Sequence, residues 1–488
     1  MDLLLILAVF PAAWALLMVM LAPTRDADAF GTGGALLTVA GSLLLMSRTL
    51  SGEIVTGWGT HLRADVLSSA ALMLTSCVFC LASLYAGPYL TASSGHGQLP
   101  AGWRVLYWPL VYLFYSAMAF TCLADNLGIL WVSLELTTLV TVPLICLNRE
   151  SRGLEAAWKY FVLCSVGIAF ALIGTIALYA STLRLSGGAG SSLSWAFMLE
   201  HGAGLDPMFV RLAFLFAFVG YGCKMGLVPM HCWLPDAHSE APTPVSAMLS
   251  GVLLNCAGYA LLRIAAVAAR AMGHGSVQSV FLAFGLASVI LASFFIVVQS
   301  DLKRLLAYSS IEHMGIVAIG IGLGADGLYG ALLHALNHAM TKALLFLSAG
   351  QVVHWHGTKQ ILRIQGVLRS SRVTGLALGA GSLAIVGLPP FGPFLSEFLI
   401  LRAAFLSGHT LAGILLVGAL GLTFAGFLAH AVPMLLGNPS RGHEDERETA
   451  NARTVLMLLV TIILALGLTV PAGLDRALKA CVSALDWS

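Results

Sequence analysis

Charge is what this chain has least of. Aspartate, glutamate, lysine and arginine supply 10% of its 488 residues, and 25 basic against 23 acidic side chains leave a formal net charge of +2. A balance that small gives no electrostatic footprint for nucleic acid. With 58% hydrophobic residues and a mean hydropathy of +0.90, the chain lies far outside the range of soluble domains. Cofactor signatures are scarce as well. The nine cysteines fall mostly inside apolar stretches, including the Cys77 and Cys80 pair of SCVFC, and no spacing among them suits an iron–sulfur cluster or a haem. They read as small buried hydrophobes. GLGADG follows no strand and is not a dinucleotide fingerprint, and HExxH does not occur. No cofactor is expected, and no activated nucleophile argues for an isolated enzyme.

What is present is hydrocarbon-length sequence from end to end. A bilayer core of about 30 Å needs about 20 apolar residues per helical span. Such windows occur at residues 3–22, 30–47, 66–88, 105–124, 126–147, 156–183, 208–230, 242–270, 277–300, 309–325, 327–354, 374–402, 410–436 and 453–471, about fourteen spans. They are too long and too unalternating for barrel strands, so the expected class is an all-α polytopic membrane protein. Residues 1–22 have no basic residue ahead of the apolar run and no clear small-residue cleavage site, so they read as a retained first span.

Loop arginines and lysines give the orientation. Loops after odd-numbered spans, with the span ends beside them, hold Arg25, Arg104, Arg149, Arg152, Lys159, Lys303, Arg304, Lys359, Arg363, Arg369, Arg372, Arg441, Arg447 and Arg453. Loops after even-numbered spans, with the span ends beside them, hold Arg48, Arg63, Arg184, Arg211, Arg263, Arg270 and Arg402. The positive-inside bias makes the odd loops cytoplasmic and both termini external. His61, His96, His201 and His443 fall in loops, and His354 and His356 at a cytoplasmic boundary.

Sorting basic residues into loops, span ends and the tail leaves Lys224 and Lys342 at depth, with Glu135 and Glu397 as acidic candidates. A charge at a helix centre costs about 2.5–3.5 kcal/mol, so such residues pair, face a watery interior and mark pathways. The plainer alternative is a buried ion that only pins two helices together. In ALLHALNHAMTKALLFL, His334, His338 and Lys342 recur every fourth residue on one helical face, flanked by Asn337 and Thr341. That polar stripe runs about 12 Å along the axis. Groups titrating near and above neutrality suit proton relay. Packing is one alternative and a metal the other, because His334 and His338 have ligand-like spacing, although no third ligand is evident in sequence.

Two spans carry helix breakers. GLVPMHCWLP places Gly226, Pro229 and Pro235 beside Lys224, and GLPPFGPFLSE places Gly387, Pro389, Pro390, Gly392 and Pro393 ahead of Glu397. Both helices are expected to break at mid-depth, the sequence sign of an inverted-repeat transporter. Prolines that merely kink packed helices are the bland reading. Half-helix ends carry partial charge and can admit water, which accounts for a lysine and a proline side by side.

KMGLVPMHCWLPDAHSEAPTPVSAMLSGVLLN, LAYSSIEHMG and GLPPFGPFLSEF together resemble the antiporter-like membrane subunits shared by respiratory complex I, the Mrp cation/proton antiporters and membrane-bound nickel–iron hydrogenases. The likeness covers nearly the whole chain, and within that superfamily it is most similar to component F of hydrogenase-4. It implies N-terminal helices over 1–104, inverted five-helix repeats over 105–270 and 271–436 (spans four to eight and nine to thirteen), and a loop, last span and short tail over 437–488. By position, Glu135 resembles the fifth-span glutamate paired with the seventh-span lysine, here Lys224. His338, with His334 and Lys342, resembles the central connecting element, and Glu397 the terminal acid. Asn255 stands where complex I relatives place an eighth-span lysine and Ser250 where others place a histidine. Neither holds an excess proton, so the route past them relies on water or a reduced relay. His231, Glu312 and His313 lie in the same motifs as relay or support. In the tail, LDRALKACVSAL reads as a short interfacial helix.

The resemblance implies partners too: other membrane subunits and a peripheral redox module, a nickel–iron hydrogenase or quinone-reactive iron–sulfur subunits, in a bacterial inner membrane. Protons are the expected cargo, with sodium as the alternative. The competing functions are a multisubunit cation/proton antiporter or inorganic-carbon uptake system without redox partners, and a scaffold whose ion path has decayed.

Overall fold

The computed structural model describes every residue except 1, 23, 25, 96–101, 149, 184, 186–191, 439–447, 486 and 488, and the side chains of 94 and 95. Arg25, His96, Arg149, Arg184, Arg441, His443 and Arg447 therefore lie outside the described residues. Asp2 opens α1 (Leu3–Leu21) by accepting from the Leu4 and Leu5 N–H groups. After α2 (Ala27–Leu50), a hairpin of β1 (Val55–Gly57) and β2 (Leu62–Ala64) pairs antiparallel with Val55 opposite Ala64. Those strands were not foreseen. They sit in a connection between spans, where a single helix need not satisfy the backbone.

The chain continues through α3 (Val66–Gly95), α4 (Trp103–Leu123), α5 (Leu127–Ile145), α6 (Ser151–Thr182), the short α7 (Trp195–Glu200) and α8 (Pro207–Met225). Then come α9 (Leu234–Glu240), α10 (Thr243–Met248) and α11 (Leu254–Met272), the last two joined by a π-turn at Leu249–Leu253. α12 (His274–Val297), α13 (Leu302–Gly322), α14 (Ala325–His356), α15 (Val367–Ser370), α16 (Arg372–Ile385) and α17 (Gly392–Leu406) follow. α18 (Thr410–Leu436), α19 (Ala450–Leu468) and α20 (Ala472–Leu485) complete it. Among the described residues, twelve helices are long and apolar enough to cross a membrane, Thr243–Met272 counting as one. The two other expected spans are α14, which carries the polar stripe, and the one divided between α16 and α17.

Small residues set how closely the helices approach. Gly285 of α12 and Gly315 of α13 face each other, and a Cβ on either would stand 2.8 Å from the other's carbonyl oxygen. Backbone contact of this kind is how membrane helices gain van der Waals energy where lipid offers no hydrophobic drive. α13 is the centre of the molecule: every residue of it is buried except Arg304, which is half-buried. It starts seven residues before the window read from sequence, because Asp301 caps it by accepting from the Arg304 N–H. That earlier start takes Lys303 inside, 5% exposed, with its ammonium donating to Ala241 O at 2.7 Å.

Arg263 is likewise interior rather than at a span end. It is 4% exposed, donates to both Asp65 oxygens at 2.7 and 2.5 Å, and lies over the Trp195 ring at 4.1 Å. Two clefts separate the loop sets. Glu150, Arg152, Gln299, Ser300, Thr358 and Lys359, all from or beside odd loops, share a cavity of about 580 Å3. Thr56, Thr60, Arg63, Asp125 and Arg270, from or beside even loops, share one of about 540 Å3. The alternation of odd and even loops is thus built into the fold.

Candidate functional site

Both expected breaks are present, and they have one local form. α8 ends in Gly226 at φ +83°, whose N–H donates to Cys223 O while the Leu227 N–H donates to Gly222 O. α16 runs out the same way, with Gly387 at φ +69° donating to Ala384 O and Leu388 to Leu383 O. Each is the paired 5→2 and 6→1 bonding of a left-handed helix end. Each is followed by a cis proline bond, Val228–Pro229 and Pro389–Pro390. The chain then resumes as α9 and α17. Lys224 occupies the last turn of α8, where helix carbonyls are exposed to a cation.

Lys224 is fully buried and donates to Leu134 O at 3.0 Å and to Thr137 Oγ1 at 2.7 Å, both on α5. The threonine hydroxyl itself donates to Leu134 O at 2.6 Å. The ion pair expected with Glu135 is not made by direct contact among the described residues. Glu135 turns instead to α6, where Ser165 donates to it at 2.7 Å, and it also accepts from Thr138 at 3.3 Å. Lys342 repeats the Lys224 arrangement on the next pair of helices. Also fully buried, it donates to Leu306 O at 2.8 Å and to Ser309 Oγ, and that hydroxyl donates to the same carbonyl at 3.0 Å. Each buried ammonium is thus held by one carbonyl and by the hydroxyl three residues on.

The histidines assemble across four elements. His313 of α13 stacks on His334 of α14 with ring centroids 4.9 Å apart, and His313 Nδ1 lies 2.8 Å from His334 Nε2. His313 Nε2 meets Ile385 O, at the end of α16, at 3.0 Å, and His334 Nδ1 meets Ser396 Oγ of α17 at 2.9 Å. A carbonyl only accepts, so in the neutral pair His313 carries its proton on Nε2 and receives the His334 Nε2–H on Nδ1. Ser396 must then donate to His334 Nδ1, while Asn337 donates to Ser396 at 3.1 Å and to Gly392 O at 2.8 Å. Hydrogen-bond direction therefore runs one way from Asn337 to Ile385.

Glu397 Oε1 is buried with no partner among the described residues, and Oε2 lies against Gly387, where an added Cβ would collide with it. One ligand atom each from His313, His334 and Glu397 falls within 4.8 Å of the others. The ligand-like pair is therefore His313 with His334, not His334 with His338 as the spacing along one helix implied. His338 stacks on His313 at 5.5 Å, and neither of its nitrogens has a hydrogen-bond partner among the described residues. Glu312 accepts from Thr423 of α18 at 2.6 Å.

Of the supporting residues, Ser250 bonds Ser310 hydroxyl to hydroxyl at 2.7 Å, next in chain to the serine that holds Lys342. Asn255 donates to Gly251 O at 2.7 Å and to Ala335 O at 3.3 Å, and borders an apolar cavity of about 320 Å3. His231 lies in the turn of the first break with Nδ1 unpartnered. Sequence reading passed over two buried groups. His238 of α9 has both ring nitrogens unpartnered and lies within electrostatic reach of Lys342, Lys303 and His338. Lys303 lines the larger polar cleft. The histidine sat in the quoted PDAHSEAP motif, where its partner helices could not be seen.

Comparison with known proteins agrees with this architecture. Residues 124–423 match the family described as NADH:quinone oxidoreductase/Mrp antiporter, TM. A hydrogenase-4 component F homolog of Methylacidiphilum infernorum is 37% identical over 410 residues, covering 84% of this chain and 85% of that protein. An NADH-quinone oxidoreductase subunit N of Desulforudis audaxviator is 32% identical over 430 residues, covering 86% and 83%. Among solved structures, a chain of the membrane-bound sulfane sulfur reductase, an archaeal respiratory membrane complex, superposes with a TM-score of 0.89 at 23% identity, covering 99% and 97%. A chain of the Mrp complex from a Dietzia species gives 0.86 at 21% identity, covering 100% and 98%. Breaks, buried lysines and sequence match converge on one assignment: this chain is a multi-pass, antiporter-like subunit of the NADH:quinone oxidoreductase/Mrp antiporter membrane family.

Proposed function

We propose that the chain moves protons across a bacterial inner membrane as one subunit of an energy-converting complex of the hydrogenase-4 kind. The observation that carries this reading is the one-way hydrogen-bonded row from Asn337 through Ser396, His334 and His313, bordered by Lys342 and Glu397. A proton arriving at His334 Nδ1 displaces the Nε2 proton onto His313 Nδ1. His313 cannot pass it to the Ile385 carbonyl, so Glu397 is the acceptor within reach. Lys303 and His238 form the inlet from the odd-loop cleft toward Lys342.

Lys224 and Glu135 form the second exchange site. No side-chain hydrogen bond joins Lys224 to Ser250 among the described residues, so water spans that gap. The chain contributes no redox centre of its own; its driving force comes from other membrane subunits and a peripheral redox module. The cytoplasmic side is that of the odd loops. In proteoliposomes holding the intact complex, Lys224→Ala and Lys342→Ala are each expected to cut redox-driven proton uptake at least tenfold. Uptake that stays normal in both would defeat the proposal, and uptake that requires sodium would reassign the cargo. Copurification of a nickel–iron large subunit checks the partner, and its replacement by other cation-antiporter subunits would favour the redox-free alternative.

A further inference from the structure

We propose that His313, His334 and Glu397 form a binding site for a divalent transition-metal ion of zinc-like preference. The three come from α13, α14 and α17, and the chemistry of each suits this role. Imidazole nitrogen with carboxylate oxygen is a donor set that zinc and its neighbours accept readily. Ligating histidines ordinarily have their outer nitrogen fixed by a second acceptor, which orients the ring. His313 is already held that way, its Nε2 donating to Ile385 O at 3.0 Å, and His334 Nδ1 lies 2.9 Å from Ser396 Oγ, a hydroxyl that can turn from donor to acceptor. Their inner nitrogens point at one another, 2.8 Å apart. Glu397, 5% exposed, brings a carboxylate oxygen within 4.8 Å of a ring nitrogen of each, and its Oε1 is buried with no partner among the described residues.

Admitting a metal needs three adjustments, the first being that the Glu397 oxygen, within 4.8 Å of the ring nitrogens, closes to the separation of about 3.3 Å that two ligand atoms of one tetrahedral ion require. Zinc–nitrogen bonds of about 2.0–2.1 Å in a tetrahedral site put two nitrogens about 3.3 Å apart, so the rings must part by about half an ångström. His334 must also move its proton from Nε2 to Nδ1, where it donates to Ser396 Oγ rather than accepting from it. The displaced serine proton already has a second acceptor, Pro393 O at 3.0 Å. No proton is stranded by the change. The carboxylate supplies negative charge, and Glu312 lies within electrostatic reach of it. The site adjoins the second break, where the Glu397 carboxylate rests on Gly387.

Binding stands independently of the proton reading. Its consequence rests on that reading, because the metal takes the nitrogens through which the proton passes and so blocks translocation. The test uses the purified full-length chain in lipid nanodiscs, equilibrated with zinc at pH 7.5 and assayed for bound metal by mass spectrometry, with cobalt as a spectroscopic substitute. One zinc per chain is expected, together with the intense visible bands of four-coordinate cobalt. Glu397→Gln and His313→Gln are expected to weaken binding at least tenfold while leaving the helical circular dichroism and melting temperature near wild type. Ser396→Ala is expected to weaken it about tenfold through lost orientation of His334. Zinc bound equally by all three folded variants, or no stoichiometric zinc in the wild type, overturns the site. If zinc binds as expected but Lys224→Ala leaves translocation intact, the transport reading fails and the metal site stands.

Discussion

Lys224 and Lys342 share more than depth. Each is received by a backbone carbonyl and by a hydroxyl one helical turn further along, so each ammonium is solvated by neutral oxygens rather than locked to a carboxylate. An ion pair would oppose release of the proton by its full Coulombic energy; neutral acceptors leave the group free to cycle. Thr137→Val is therefore expected to lower proton uptake by an order of magnitude while the complex still assembles, as read by fluorescence quenching in proteoliposomes. The lysines themselves were legible, because a lone charge in an apolar window stands out. Their partners were not: Thr137 and Ser309 look like ordinary polar residues until helix packing puts them under an ammonium. Asp65 gives a prediction in pH. Burial raises its carboxyl, but the Arg263 guanidinium and the Ser68 bonds outweigh that and hold it at about 2, against 3.8 ordinarily. Protonation is therefore easier in the unfolded chain, so the pair stabilises fully above about pH 4 and loses its effect as pH falls toward 2, by about 2 kcal/mol. Arg263→Met should abolish this acid-dependent part of the melting curve and cost about 3–5 kcal/mol at neutrality by stranding Asp65.

Helices were the most legible scale. Every predicted window has its helix, and both breaks fall where Gly and Pro placed them, since hydrocarbon length and missing N–H groups act locally. The errors came from effects that are not local. α13 was begun seven residues late because an N-cap aspartate and a buried lysine do not look apolar, and the β1–β2 hairpin was lost among loop residues. The metal alternative pairs His334 with His338 because spacing speaks only of a single element, whereas His313 arrives from α13. At the second break, Gly387→Ala carries two costs, a left-handed backbone and a Cβ driven into Glu397. Gly357→Ala, also left-handed but facing open space, carries only the first, about 1 kcal/mol. The first variant is expected to melt lower than the second and to lose transport. Between α12 and α13, Gly285→Val should destabilise by about 1–3 kcal/mol through overpacking, read as a lower melting temperature.

For the molecule as a whole, the parity of the loops is the feature that experiment can orient. Single cysteines at Thr358 in the odd-loop cleft and Thr60 in the even-loop cleft, in a chain cleared of its exposed Cys232, are expected to react with an impermeant thiol reagent from opposite sides of the membrane. Labelling of Thr358→Cys from outside intact cells would invert the assignment. One consequence concerns α13. Sheathed on all its flanks by protein, it is held at both of its ends. At one tip Arg304 grips Asp236, and at the other the Ile321 carbonyl is clasped by the Trp487 indole. One rod thus carries both the Leu306 and Ser309 seat of Lys342 and the ring of His313, so the ammonium's cradle and the histidine pair share a single backbone.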